Sequence, residues 1–124
     1  MADLTVVNPV LDATPGEQPV PATAAVGGDR FAATAGRRYL VRFSNADGAG
    51  RGAVFDDPTS GVGVVGATTA MNPDVTVTSP NGAAPANQRV VLIDADRFRD
   101  VNGWVNITYS PAPTALTVEV YGPL

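Results

Sequence analysis

The carboxylates after residue 93 are the side chains whose types and spacing come closest to known chemistry. Asp94, Asp96 and Asp100 precede Asn102 and Gly103, which is the oxygen-rich composition of a calcium loop. An EF-hand loop needs oxygen ligands at positions 1, 3 and 5, a glycine at position 6 and a glutamate at position 12. An aromatic residue falls at position 5 whether the loop begins at Asp94 or at Asp100. We therefore expect a turn held by hydrogen bonds to its own backbone, and no bound metal.

Catalysis has few other starting points in this sequence. The 124 residues include no Cys, no His and no Lys, since all eight basic residues are Arg. The commonest general base, the thiolate nucleophile and the Schiff-base amine are therefore missing. Asp56 and Asp57 are adjacent acids beside a proline, where such residues usually form turns. The sequence predicts a protein that is not an enzyme and uses no cofactor.

The composition favours an all-β fold. The chain holds 18 Val and 12 Thr, and β-branched side chains lose rotamer freedom in helices but pack well on a sheet. With 13 Gly and 11 Pro spread along the chain, helices of ordinary length have little room. Turn signals between short apolar runs predict a small β-sandwich of the jelly-roll or immunoglobulin-like kind. We expect seven or more short strands and no helix longer than about two turns.

Period-two alternation marks the individual strands. Tyr39, Val41 and Phe43 alternate with mostly polar side chains, which predicts a strand over residues 37–44 with one buried face. Residues 94–103 should form a turn or a single helical turn. Residues 110–114 should be a hairpin between the last two strands. The other strand candidates are residues 53–55, 62–65, 75–78, 89–93, 104–109 and 115–121.

The N-terminal segment differs in composition from the rest of the chain. The first 29 residues hold four acids and no base, and four prolines lie within the first 21. We predict an extended Pro-rich arm over residues 1–28 and one sandwich domain over residues 29–124. Leu4, Val6 and Val10 would anchor the arm on a neighbouring subunit or another partner, for example as a strand added to that partner's sheet edge.

Arginine is concentrated in residues 30–51, which hold five of the eight. The whole chain is acidic, with a net charge of −4, and no aromatic side chains interleave with the basic ones. We therefore expect no nucleic acid partner. The guanidinium fork suits carboxylates. We expect Arg37, Arg38 and Arg42 to contact carboxylates across a subunit boundary, although a merely solvated face remains the alternative.

The sequence offers no sign of a membrane or export signal. No stretch reaches the roughly 18 consecutive apolar residues of a membrane span. The N-terminus has neither a basic region nor a continuous apolar core of the kind that signal peptides have. We expect no membrane partner and synthesis in the cytoplasm of the cell that makes the protein.

Two stretches, residues 28–45 and 89–121, combine turn and strand features in a recognisable order. The features are Gly28-Asp29 with Phe31, Gly36-Arg37, the strand Tyr39–Phe43 that ends at Asn45, Arg89, Arg97-Phe98 with Asn102-Gly103, and the strand Val105–Tyr109. In these features the chain resembles a family of small proteins from tailed bacteriophages, the head decoration or capsid cement proteins. The resemblance covers about 50 of the 124 residues and includes no catalytic motif.

The resemblance implies a structural virion protein. Members of this family bind the lattice of the major capsid protein on its outer surface, often as homotrimers at threefold positions, and stabilise the shell. The implied location is the outer capsid surface of the virion. The alternatives are a phage tail or head–tail connector component and a carbohydrate-binding module displayed on the particle. Exposed aromatic side chains would favour the last of these.

Overall fold

The computed structural model describes residues 1–8, 20–58 and 74–124, and these form a β-sandwich. The described residues contain ten strands and one four-residue helix, so the predicted fold class is confirmed. The strands are β1 (Ala2–Asp3), β2 (Val6–Val7), β3 (Ala22–Thr23), β4 (Asp29–Ala32), β5 (Arg38–Asn45), β6 (Arg51–Phe55), β7 (Val75–Ser79), β8 (Gln88–Asp94), β9 (Trp104–Ser110) and β10 (Leu116–Tyr121), and the helix α1 is Ala95–Phe98. The strand candidate at residues 62–65 lies outside the described residues.

Two five-stranded sheets form the layers. Sheet A has the strand order β1-β4-β9-β6-β7. Sheet B has the order β2-β10-β5-β8, and β3 also pairs with β10, on the edge away from β5. The pairs β1–β4 and β2–β10 are parallel, whereas the other strand pairs are antiparallel. Within the described residues, β7 and β8 are therefore edge strands of their sheets.

The core lies between the sheets and is rich in aromatic rings. Tyr39, Val41 and Phe43 of β5 are each at most 2% exposed, which confirms the period-two prediction. The ring of Phe43 lies 6.0 Å from that of Phe55 in the opposite sheet, and Phe55 lies 6.2 Å from Phe98 of α1. These ring contacts join both sheets and the helix. The burial of each such side chain stabilises the fold by about 1.5–3 kcal/mol.

The start of the chain belongs to the sandwich. Strand β1 pairs with β4, and β2 pairs with β10. Between them Leu4 is buried in the core, and Val6 packs against it. The prediction that residues 1–27 pack on a partner and not on their own domain is therefore wrong for the described part of this segment. The free edges of β4 and β10 offer unpaired backbone groups that these short runs satisfy. Val10 lies outside the described residues.

The segment at residues 110–114 is a crossover between sheets and not the predicted hairpin. Strand β9 pairs with β4 and β6 in sheet A, whereas β10 pairs with β5 in sheet B. The buried Asp47 side chain holds the crossover, because it accepts hydrogen bonds from the backbone N–H and the hydroxyl of Thr114. A long-range contact of this kind decides the connection, and local turn chemistry does not reveal it.

The acidic segment after β8 forms the predicted helical turn. Asp94 caps α1 by accepting a hydrogen bond from the Asp96 N–H at 3.0 Å. Asp96 accepts another from the Gly36 N–H at 2.8 Å, and Asp100 accepts two from backbone N–H groups of its own turn. Among the described residues, no group of three or more acids is arranged to hold a metal ion. No helix within the described residues is long and apolar enough to cross a membrane.

Candidate docking face

The outer face of sheet B brings predicted arginines together with apolar side chains that sequence reasoning did not select. Because Tyr39, Val41 and Phe43 point into the core, the alternate residues of β5 point outward. Strand register places Leu40 opposite Leu92 of β8, and Arg42 opposite Val90. We use the term docking face for Arg38, Leu40, Val90 and Leu92 on this surface, together with the exposed Arg37 that directly precedes β5.

The apolar part of the docking face is open to solvent. Val90 and Leu92 are 55% and 52% exposed, and Leu40 on the adjacent strand β5 is half-buried. The residues that alternate with them on β8 face inward, where Ile93 is buried and Val91 packs against the core. The continuous apolar run at residues 90–93 is the sequence signal for this arrangement, since it makes both faces of the strand apolar. Contiguous exposed apolar surface of this kind marks interaction sites.

The arginines of the docking face differ from the others in having no partner within the described residues. Four arginines form ion pairs and two donate hydrogen bonds to backbone carbonyls. These are Arg30, Arg42, Arg51 and Arg97, and Arg89 and Arg99, respectively. Arg37 and Arg38 are exposed, and neither side chain forms an ion pair or hydrogen bond with another described residue. Asp94 lies opposite Arg38 on β8, but its carboxylate caps α1.

Arg42 lies beside the docking face and pairs within its own chain. Its Nε lies 3.2 Å from Oε2 of Glu119, and its Nη2 donates a hydrogen bond to Oε1 at 3.2 Å. Glu119 is almost fully buried and also accepts a hydrogen bond from the Tyr121 hydroxyl. Burial and then this contact with Glu119 raise the pKa of Tyr121. Arg42 therefore meets a carboxylate as predicted, but that carboxylate belongs to the same chain.

On the outer face of sheet A, the charged side chains Arg30 and Asp100 contact other residues of the chain. The Arg30 guanidinium lies 3.9 Å from the ring centroid of Trp104 and 2.7 Å from a carboxylate oxygen of Asp3. Nearby, Asp100 accepts a hydrogen bond from the Asn106 side chain at 2.9 Å. The N–H of Trp104 is the largest cause of the lowered pKa of Asp100. Arg30 and Asp100 on this face therefore both have partners within the chain.

No aromatic side chain offers a platform for a sugar ring. All eight aromatic residues lie within the described ranges, and none of them is exposed. The three tyrosine hydroxyls are engaged with Thr34, Asp29 and Glu119. The exposed aromatics that would favour a carbohydrate-binding module are not found in this part of the chain.

One buried carboxylate fixes an end of the sandwich. Asp47 accepts hydrogen bonds from the N–H groups of Thr114 and Ala115 at 3.1 and 2.6 Å, and Arg51 lies 3.2 Å from it. The hydrogen bond from the Thr114 hydroxyl is the main cause that lowers the pKa of Asp47. Both carboxylate oxygens of Asp47 have partners. Asp47 therefore positions the backbone at residues 114 and 115, and its lowered pKa keeps it ionised at neutral pH.

The remaining buried acids also serve the fold. Asp29 accepts a hydrogen bond from the Tyr109 hydroxyl at 2.6 Å. Asp57 forms an ion pair with Arg97 at 3.0 Å. Asp56, next to Asp57, is at the surface. Its partial desolvation and then the neighbouring carboxylates raise its pKa. Sequence reasoning named Asp56 and Asp57 as turn formers. It did not select the buried Asp29, Asp47 and Glu119, because only the register of distant segments brings their partners close.

The structure thus separates the predicted partner-binding residues into two groups. It places Arg38 and Arg42 on one face of β5 in sheet B, with Arg37 exposed directly before that strand. It places Leu4 and Val6 in or against the protein's own core. Comparison with known proteins finds no family model that matches the chain, and no curated protein or solved structure with significant similarity to it.

Proposed function

We propose that this chain is a structural virion protein that decorates and stabilises a bacteriophage capsid by binding the lattice of the major capsid protein. The observation that carries the proposal is the docking face, where two arginines without a partner among the described residues accompany exposed apolar side chains on the sandwich. The sequence resemblance to head decoration proteins supports the choice of partner. No catalytic step is needed for this role.

The chemistry of the docking face defines the surface it would bind. The apolar side chains need an apolar patch on the partner, and burying them would supply about 25 cal/mol for each Å² removed from water. Arg37 and Arg38 need carboxylates at the border of that patch, where bidentate pairing fixes orientation. A capsid surface with acidic residues around an apolar depression satisfies both requirements.

Repetition on the lattice turns a small contact into stable attachment. A docking face of five residues is well below the roughly 20–30 residues that each partner contributes to an ordinary stable interface. If the subunits assemble as homotrimers on the shell, as the resemblance implies, three faces bind at once and the effective concentration of the second and third contacts is high. The proposal therefore predicts weak binding to a single capsid subunit and strong binding to the assembled shell.

Copy number in purified phage particles tests the proposal. Mass spectrometry would count this chain relative to the major capsid protein, and cryo-electron microscopy would locate it. Hundreds of copies on the outside of the shell would support decoration. Rings of six or twelve copies at the neck or tail would show a connector or tail component instead, and particles without the chain would overturn a virion role.

A further inference from the structure

Strand β8 combines an open edge with exposed apolar side chains. Within the described residues it pairs with β5 on one side and with no strand on the other. It is seven residues long, and it carries no proline. Long apolar edge strands are templates for pairing with another chain, and proteins usually shorten or charge them for that reason. On β8 the charged residues Arg89 and Asp94 lie towards the two ends, and the centre of the edge carries the exposed Val90 and Leu92.

The side-chain pattern of β8 is complementary to itself. In an antiparallel pair the residues that face each other must lie on the same face of the sheet. For two copies of β8 this allows a two-fold axis at Val90, at Val91 or at Leu92. An axis at Val91 pairs all seven residues and places Val90 opposite Leu92 of the other copy, and Gln88 opposite Asp94. It also places Arg89 opposite Ile93, but the Arg89 guanidinium donates hydrogen bonds to backbone carbonyls of its own chain. An axis at Leu92 would oppose Val90 to the charge of Asp94, and an axis at Val90 would oppose Leu92 to Gln88.

We propose that a second copy of this chain pairs with β8 in antiparallel fashion, on a two-fold axis at Val91. The pairing continues sheet B into a second molecule and satisfies the free edges of both strands. It places Leu40, Leu92 and the second copy's Val90 in one row of the combined sheet, and the two-fold axis generates a matching row. Opposite apolar pairs of this kind favour association.

The two-fold pair leaves the docking face accessible. Pairing uses the backbone edge of β8, whereas the docking face is the outward surface of β5 and β8. The inference does not depend on the capsid proposal. The resemblance implies a homotrimer on the capsid, whereas the pairing of β8 predicts a dimer in solution.

Molecular mass against protein concentration tests the pairing directly. Sedimentation equilibrium of the full chain should show a reversible change from 12.7 kDa to twice that mass. Val90→Lys should raise the dimer dissociation constant by roughly two- to thirtyfold, because two cross-strand pairs change in each dimer. Val101→Lys is the matched control, since Val101 is 96% exposed on a separate turn and should leave the constant unchanged. A monomer at the highest concentration, or a trimer, would overturn the inference. A monomer would leave the capsid proposal unchanged, and a trimer would agree with the homotrimer that the resemblance implies.

Cysteine cross-linking tests the register, because the natural chain has no Cys. Cα atoms of directly opposite residues lie about 4.5–5.5 Å apart, within the range that a disulfide spans. A mixture of Val90→Cys and Leu92→Cys chains should therefore cross-link under mild oxidation. Each variant alone should cross-link poorly, because its cysteines would be diagonal neighbours about 7–8 Å apart. Efficient cross-linking of either variant with itself would show a different axis and contradict the proposal.

Discussion

The two outer faces of the sandwich differ in how many of their charged side chains have a partner within the chain. On sheet A, Arg30 stacks on Trp104 and pairs with Asp3, and Asp100 binds Asn106. On sheet B, the Arg42–Glu119 pair is internal, but the other arginines of that face have no partner within the described residues and lie beside exposed apolar side chains.

This difference separates residues that hold the fold from residues available to a partner. A charge that already has an internal partner must lose it, or share it, before it can bind another molecule. A guanidinium without an internal partner gives up only its hydrating water when it binds another molecule. Substitutions on sheet A should therefore reduce stability, whereas substitutions at Arg37 or Arg38 should reduce binding and leave stability nearly unchanged. Each prediction below tests one part of this division.

Alkaline pH should have the largest effect, through the tyrosine on the sheet A side of the core. Burial and then the contact with Asp29 raise the pKa of Tyr109 strongly, whereas an unfolded chain releases the tyrosine proton near pH 10. The stabilisation is therefore complete below about pH 10 and is lost as the pH rises above it. The urea midpoint should fall between pH 8 and pH 11. Since the chain has no Lys and no Cys, no other side-chain type titrates in that range.

Two tyrosine variants localise the alkaline effect. Tyr109→Phe should remove most of the fall in the urea midpoint between pH 8 and pH 11. Tyr121→Phe, on the outer face of sheet B, should remove less, because that hydroxyl is closer to solvent. Equal slopes for the two variants would mean that the sheets do not differ in this respect.

Trp104→Ala should have the largest effect among substitutions on the outer faces. The side chain is half-buried and carries the Arg30 guanidinium on its ring. Full burial would make the loss about 3–5 kcal/mol, so we expect the free energy of unfolding to fall by about 2–3 kcal/mol. Val101→Ala, three residues earlier and 96% exposed, is the control and should change it little. Chemical denaturation of both variants measures the difference.

Much of the fold could be predicted from the sequence, because its strands alternate clearly. Strands β5, β9 and β10 follow from side-chain periodicity. The helical turn at α1 follows from acidic side chains that can hydrogen-bond the backbone of their own turn. The two-residue strands β1 to β3 could not be predicted, because segments that short pair only where a distant edge is free. The crossover before β10 was predicted wrongly as a hairpin for a related reason: its direction depends on Asp47, more than 60 residues away.

The candidate site could be predicted only in part. Alternation placed Arg38 and Arg42 on one strand face, and the structure confirms that placement. The sequence does not show that Arg42 meets Glu119, because this pair depends on the register of β5 and β10. The apolar half of the docking face was visible as the run at residues 90–93, but a run that is apolar on both faces is also typical of a fully buried strand.

Arg42→Ala should reduce stability moderately, which distinguishes it from its neighbour on the same face. The substitution leaves the buried Glu119 without its cation, although Tyr121 still donates a hydrogen bond to it. Because the Arg42 side chain is 41% exposed, the loss should be about 1–2 kcal/mol, below that of a fully buried pair. Arg38→Ala, four residues earlier on the same strand and the same face, is the matched comparison. Equal urea midpoints for the two variants would contradict the division.

Arg38→Ala and Arg37→Ala should change stability least, within about 0.5 kcal/mol, as is usual for exposed positions. Their effect should be on attachment to capsids, because removing a guanidinium leaves a carboxylate of the partner unpaired in a partly desolvated contact. We expect lower occupancy on purified shells lacking the natural protein, measured by co-sedimentation. Arg89→Ala removes the same charge from a residue outside the docking face and serves as control. If the Arg37 and Arg38 variants occupy shells as fully as the natural chain at both low and high salt, where exposed charges are screened, then apolar contact alone holds the protein and the unpaired arginines are only a solvated part of the surface.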